Sequence, residues 1–213
     1  DWSSIFGTVG YLGQYLLDNN AVSNSFFPRI INLDTTEKII HSSLTKSCRN
    51  SVSWGIKNLM IEIIDHNNLD DNNFNYLKKL HLKEAGKETR SKETWEVQYN
   101  MIEEKEAFII NGFLDNKLVS SAFFNFNKMV CFYSVSASRR DLFDKPLSHS
   151  IIWNAIIHAK KIGCKYFDFS VLSYRKNSLH EIPGKEKNIN TFKKGFGGKT
   201  RSVLSVNWEK QKV

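Results

Sequence analysis

The run NTFKKGFGGKTR, residues 190–201, brings paired phenylalanines, clustered glycines and several cations together near the end of the chain. Phe192 and Phe196 are four apart, so on a helix they share one face and can dock it on a sheet. Lys193 then sits at the edge of the docked face, partly removed from water. An ammonium so placed suits a phosphate or a developing oxyanion. The segment GFGGKT resembles a phosphate loop, whose glycines free backbone N–H groups for an anion. It follows a helix and opens none, so glycines ending a helix in the left-handed conformation are the ordinary alternative. Lys194 and Gly197 remain substrate-binding candidates in this run. The group Lys185, Lys187, Lys193, Lys194, Lys199 and Arg201 also fits a plain solvated basic face.

Asp168 is the second candidate for chemistry, as base or orienting group. In a strand, the segment YFDFS puts Tyr166, Asp168 and Ser170 on one face and Phe167 and Phe169 on the other, the core face. A carboxylate near the C-terminal end of a parallel strand is where α/β sheets place ligands. A loop-capping or salt-bridged aspartate is the competing reading. Arg49 and Lys46, in TKSCRNS, could meet an anionic substrate or simply lie on a helix surface. Tyr133, Ser148 and His149 are further substrate-pocket candidates. No metal is expected, because the 6 histidines and 3 cysteines show no ligand spacing. His149 and His158, nine apart on one helix, point to opposite faces. Neither a G-x-S-x-G nor a Walker sequence occurs.

The elements that must position these residues follow from the pattern of the 213-residue chain. Its 41% hydrophobic and 13% aromatic content can build a core. Its net charge of +8 favours an anionic partner such as nucleic acid, a phosphorylated substrate or a membrane surface. Three widely spaced cysteines argue against a disulfide scaffold and for a reducing compartment. No apolar run is long enough to span a bilayer, and no signal peptide is visible. The first residue is Asp1, not Met, so a truncated or processed N-terminus is expected.

Helical spacing covers residues 8–19, a strand covers 26–34, and one long amphipathic helix is expected over 35–57, with Thr35 and Thr36 as caps. A strand at 59–65 and a polar loop follow. Next come a helix over 70–86 ended by Gly86, and a second helix capped near Ser91. Three strands joined by the short polar links DN and NK read as antiparallel hairpins. A helix ending at Gly163, a parallel strand over CKYFDFS, a short helix over 186–198 and a last strand over 200–209 complete the order. This is an α/β arrangement in which one helix crosses from a meander to a later strand.

Taken together, three stretches resemble the Fem (FemA/FemB-type) transferases and their relatives. They are ETWEVQYNMI through AFIINGFLDNKLVSSAFF, then CFYSVSASRRDLFDKPLSHSIIWNAIIHAKKIGCKYFDFS, then EKNINTFKKGFGG. Upstream, LTKSCRNSVSWGIKNLMIEIID is similar to the segment joining that family's first unit to its second. The resemblance runs from about Thr45 to Val206. It implies a GNAT-like acyltransferase fold, with a mixed, mostly antiparallel sheet flanked by helices. It also implies that residues 58–213 are a complete GNAT-like unit and residues 1–57 the remnant of a first unit with its connecting helix. The family's Phe-Lys pair falls on Phe192 and Lys193, and the lysine is held to stabilise the tetrahedral oxyanion.

The implied activity is an aminoacyl or acyl transfer that forms an amide on a peptidoglycan or surface-glycan precursor. No bound cofactor is implied; the donor would be aminoacyl-tRNA, or else acyl-CoA or an acyl carrier. The partners would be an anionic cell-envelope precursor, a tRNA donor and the membrane surface, in the cytoplasm at the inner face of the membrane. Two departures bear on the donor. The coiled-coil arm that some members insert is absent. The usual GNAT pyrophosphate loop is replaced by SRRDLFDKPLSHS, as in the Fem group, which argues against ordinary acetyl-CoA use. Two other readings stay open. One is a GNAT-type N-acyltransferase acting on a nucleotide- or lipid-linked amino sugar. The other is a non-catalytic RNA-binding or interaction module.

Overall fold

The structure is a computed structural model that describes residues 10–174 and 181–208. Thr8 and Val9 of the expected first helix, His180, and Glu209 of the expected last strand lie outside the described residues. A seven-stranded sheet forms the centre of the molecule. Its strands, in spatial order, are β3 (Met60–Ile64), β4 (Ala107–Leu114), β5 (Lys117–Phe126), β6 (Val130–Ser138), β7 (Tyr166–Val171), β2 (Pro28–Asn32) and β8 (Lys199–Thr200). Among the described residues only the β6–β7 pairing is parallel. The meander β4–β5–β6 follows from its links: Asp115 and Asn116 both take positive φ, the conformation a two-residue hairpin demands. The remaining strands, β1 (Val22–Phe26) and β9 (Val203–Asn207), form a separate two-stranded ribbon.

Helices cover both faces. On one, α6 (Leu147–Lys161) carries the chain from β6 to β7 and packs beside α3 (Lys46–Asn58). Its apolar stripe of Ile151, Ile152, Ala155, Ile156 and Ala159 is buried against Phe108, Phe124 and Phe167. Gly55 of α3 lets the two helices close: a Cβ there would stand 2.3 Å from the Ser150 hydroxyl. On the opposite face, α4 (Asp71–Ala85) and α5 (Lys92–Glu103) cover Ile109, Phe123 and Val135 with Phe74, Leu77, Trp95 and Ile102. Gly86 ends α4 in the left-handed conformation (φ 69°), as its position after the apolar run requires. The last helix, α7 (Gly184–Gly195), lies at the C-terminal end of β7. Among the described residues no helix is long and apolar enough to cross a membrane.

Three sequence expectations are corrected. The long helix over 35–57 is two helices, α2 (Glu37–Ser43) and α3, parted at Leu44 and Thr45. Thr36 caps the first and Thr45 the second, each hydroxyl accepting an N–H three residues on. The Thr45 N–H is itself taken by the Gly195 carbonyl of α7 at 2.9 Å, so a tertiary contact holds the break. The last strand is also two: β8 adds to the sheet, and β9 leaves it to pair with β1. The first helix is shorter than expected, α1 (Tyr11–Asp18), and none of its residues is buried. The main core draws on residues before and after position 57. β2 lies between β7 and β8, and Ile31, Leu33, Ile40, Leu44, Cys48 and Val52 share one cluster with Phe167 and Phe196.

Candidate active site

The site begins where β6 and β7 part. Their parallel pairing spans only Val130–Tyr166, Cys131–Phe167 and Phe132–Asp168. Immediately beyond, the pairing of β5 with β6 slips by one residue, leaving Ser134 as a bulge that bends β6. Meanwhile β7 continues along β2 as far as Val171. A notch opens between the two strands at the C-terminal end of β7, the position at which open α/β sheets accept ligands.

Asp168 stands at this notch. Tyr166, Asp168 and Ser170 share a face, and Phe167 and Phe169 are fully buried on the other, as the alternation predicts. The carboxylate accepts the Ser170 N–H at 2.6 Å, and Ser170 takes φ 64°, a conformation rare outside glycine. Burial pushes the Asp168 carboxyl above its ordinary range, with the Ser170 amide and the Lys193 charge opposing that shift.

Lys193 reaches the same point from α7. Its Nζ donates to the Val171 carbonyl at 2.9 Å. Burial pulls its pKa down, and the Asp168 charge pulls it back up. The two groups therefore feel each other without a direct ion pair between them. The helix that carries Lys193 is anchored by aromatic packing. Phe196 is completely buried, 5.2 Å from Phe169 and 5.8 Å from the His149 ring, centroid to centroid. Phe192 meets His149 edge-on at 5.0 Å and Phe196 at 5.3 Å. The docking face read from the spacing of Phe192 and Phe196 is thus present, with Lys193 at its margin.

Of the other candidates, His149 packs against the helix that carries Lys193, and the rest, apart from Lys46, are held in contacts of their own. His149 is the wedge under α7; burial lowers its pKa, the Pro146 carbonyl opposing, so it packs as a neutral ring. Tyr133 stacks on Phe124 and meets Phe169 edge-on, and its hydroxyl pairs with Ser136. Ser148 bonds Ser138 at 2.9 Å, and Ser138 bonds Ser120 at 2.8 Å, which ties the start of α6 to β5 and β6. Gly197 holds geometry: at φ 78° it approaches so closely that a Cβ would meet the Ser43 hydroxyl at 2.5 Å. Its carbonyl accepts from Arg29 Nε at 2.7 Å. Lys194 lies over the Tyr174 ring at 5.4 Å. Arg49 donates to the Ser42 and Leu44 carbonyls and so ties α2 to α3, while Lys46 is exposed on the first turn of α3. The cysteines are buried thiols, with burial pushing Cys48 and Cys164 up to about 11 and Cys131 well above its ordinary value, so none offers a thiolate at neutral pH.

Sequence reasoning overlooked Asn190. Its side chain accepts the Ser173 N–H at 3.0 Å and donates to the Ser173 carbonyl at 2.6 Å. This two-bond clamp holds the segment after β7 against α7, one turn before Lys193, and so presents the Val171 carbonyl to the lysine. An asparagine in a polar helix carries no sign of that role, because its partner is seventeen residues away. Also overlooked is a cavity of about 410 Å³ beside Asp168, lined by residues of β1, β2, β6, β7 and β9, with Arg201 beside them.

No protein-family model matches the sequence, and no curated protein sequence does. Solved structures do match. FemX superposes with a TM-score of 0.60 at 16% identity, over 85% of this chain and 60% of the FemX chain. The C-terminal (DUF2156) domain of a putative lysylphosphatidylglycerol synthetase from Agrobacterium fabrum gives 0.69 at 14% identity, over 92% of this chain and 65% of that one. An aminoglycoside acetyltransferase from an uncultured soil metagenomic sample gives 0.50 at 12% identity, over 66% of this chain and 88% of its own. The chain thus spans less than two thirds of the length of the first two, 60% and 65%. Its architecture, a mostly antiparallel mixed sheet flanked by helices, is a GNAT-like α/β fold shared with these proteins.

Proposed function

We propose that this chain is an acyltransferase unit that moves an aminoacyl or acyl group onto an amine of a cell-envelope precursor. The observation that carries the reading is the juxtaposition of Asp168 and Lys193 at the notch between β6 and β7, in a fold shared with FemX and a lysylphosphatidylglycerol synthetase domain. In the transfer, the amine nitrogen attacks the acyl carbonyl carbon and a C–N bond forms. The ester C–O bond breaks, and its electron pair leaves with the donor oxygen. Asp168 takes the amine proton and delivers it to that oxygen, while Lys193 faces the negative charge on the tetrahedral oxygen. The working model has residues 58–213 carrying the reacting groups, residues 1–57 as the end of a first unit that completes the same sheet, and the reaction at the cytoplasmic face of the membrane.

The start of α6 bears on the donor. In GNAT-type sites that bind CoA, free N–H groups at this helix receive the pyrophosphate. Here the N–H groups of Leu142, Phe143, Lys145, Leu147 and His149 are bonded to carbonyls within residues 139–146. Pro146 has none to offer, and the Arg140 N–H is taken by the Glu84 carboxylate at 3.0 Å. A pyrophosphate would find few free donors there. This favours aminoacyl-tRNA over acyl-CoA as donor.

The test is direct. The purified protein is incubated separately with charged tRNA and with acyl-CoA, and amide product is measured. Lys193→Ala should lower turnover about 10²–10³-fold, the usual cost of a lost oxyanion donor, with an unchanged circular dichroism spectrum. Unchanged turnover would remove Lys193 from the mechanism.

A further inference from the structure

A second pocket lies at the edge of the sheet, between α2 and the short strand β8. β8 pairs with β2 only at Arg29–Thr200 and Ile30–Lys199, and β2 runs on past it to Asn32. Gly197 and Gly198 bring the chain into β8 with φ 78° and 74°. The volume beside this edge is about 380 Å³, within the size range of small-molecule sites. Ile31 and Ile40, both members of the main core, line it together with polar residues. It shares Ile30, Tyr166 and Arg201 with the cavity beside Asp168, but its α2 wall is its own.

The charge in this pocket is of one sign. Lys199 and Arg201 bring cations, Thr35, Ser43 and Tyr166 bring hydroxyls, and Asn32 brings an amide, while no carboxylate stands among the described residues that line it. Lys199 and Arg201 are two apart on an extended segment, so they share a face. Neither has a carboxylate partner among the described residues. Arg29, opposite Thr200, adds a third positive charge to the same corner, its guanidinium held by the Gly197 carbonyl and the Thr200 hydroxyl. Like charges crowded on paired strands repel, and an anion bound between them relieves that cost. The donors outnumber what a carboxylate can use: a lysine offers three, an arginine five and each hydroxyl one. A phosphate group, with close to two negative charges and three strong acceptor oxygens, matches such a set.

We propose that this sheet-edge pocket is a phosphate-binding site, in which Lys199 and Arg201 hold a phosphate group that is either free or carried as an ester. The site is defined by its own residues and does not depend on the transfer reaction.

Direct binding tests this without requiring turnover. The full chain is titrated with inorganic phosphate, butyl phosphate and acetate at about pH 8, above the second pKa of a phosphate monoester. Calorimetry gives affinity, and amide chemical shifts give location. Phosphate should bind more tightly than acetate and should move the amides of Thr35, Ser43, Gly198 and Lys199 ahead of others. Lys199→Gln and Arg201→Gln should each weaken phosphate binding about tenfold, the usual scale for a lost hydrogen bond to a charged group. Lys117→Gln removes the same charge from the β4–β5 hairpin, four strands from β8, and should leave binding unchanged. Three arms separate the sources of the phosphate. Inorganic phosphate binding that butyl phosphate does not displace assigns a free anion, and displacement assigns a phosphate ester. Binding to vesicles of phosphatidic acid but not phosphatidylcholine, lost in Lys199→Gln, assigns a lipid headgroup. Acetate binding as tightly as phosphate, Lys117→Gln weakening binding as much as Lys199→Gln, or shifts spread over the basic surface would each overturn the proposal and leave an ordinary solvated basic face.

Discussion

Asp168 and Lys193 are each held in the protonation balance that burial disfavours. Lys193 sheds its proton more readily folded than unfolded, so it opposes folding below its folded pKa, and the penalty fades as pH rises toward the usual lysine value. Asp168 holds its proton more tightly folded than unfolded. It opposes folding above its folded pKa, and the penalty fades as pH falls toward the usual carboxylate value. Near neutral pH both groups cost stability, a pattern more typical of sites than of structural ion pairs. The same shifts predict the pH profile. The alkaline limb of kcat/KM, set by Lys193, should lie below the usual lysine range, and the acid limb, set by Asp168, above the usual carboxylate range. Asp168→Asn removes the charge that raises Lys193, so in the residual activity the alkaline limb should move to lower pH. An alkaline limb that stays in place or rises would show that the two groups do not interact. In the sequence, Lys193 was legible through its aromatic neighbours and Asp168 through strand alternation. Their proximity was not, because twenty-five positions separate them and only the docking of α7 closes that gap.

Among the elements, what positions the site is a few close approaches between helices and sheet. The clearest is Gly55 against Ser150, where α3 and α6 cross. A Cβ on residue 55 would lie 2.3 Å from the Ser150 Oγ and 2.5 Å from its Cβ. Gly55→Ala gains helix propensity of about 1 kcal/mol, yet the crowding should outweigh it and leave a net loss of about 1–3 kcal/mol. Adding Ser150→Gly removes both clashing atoms and should recover part of that loss. Urea denaturation of the two single variants and the double variant measures this, and additive losses would deny the contact its role. The period of α6 and the hairpin links of β4–β5–β6 were readable because each is local. The break between α2 and α3 was not, although Thr45 is a good cap. A continuous amphipathic pattern reads as one helix unless the Gly195 carbonyl is known to be waiting for the Thr45 N–H.

For the whole molecule, the sheet makes the early and late parts of the chain one folding unit. Removing residues 1–58 would take β2 out from between β7 and β8 and strip Ile31, Leu33, Ile40, Leu44, Cys48 and Val52 from the main cluster. It would also leave the edge of β7, which carries Asp168, unpaired on that side. Residues 59–213 alone should therefore show no cooperative thermal transition and no dispersed amide spectrum. A well-dispersed spectrum from that fragment would show that the later part folds on its own.

The sequence by itself determined most of the element types, the meander, the crossover to a parallel strand and the face on which Phe192 and Phe196 dock. Each of these depends on hydrophobic period, turn residues or side-chain type within a few positions of one another. Tertiary structure alone decided that β2 enters the sheet beside β7, and that Ser134 bulges where β6 leaves β7. It also decided that Asn190 clamps Ser173 and that an apolar cavity stands at the Asp168 carboxylate. These features join residues far apart in the chain, and local pattern carries no record of which distant group will satisfy a given hydrogen bond or wall off a given charge.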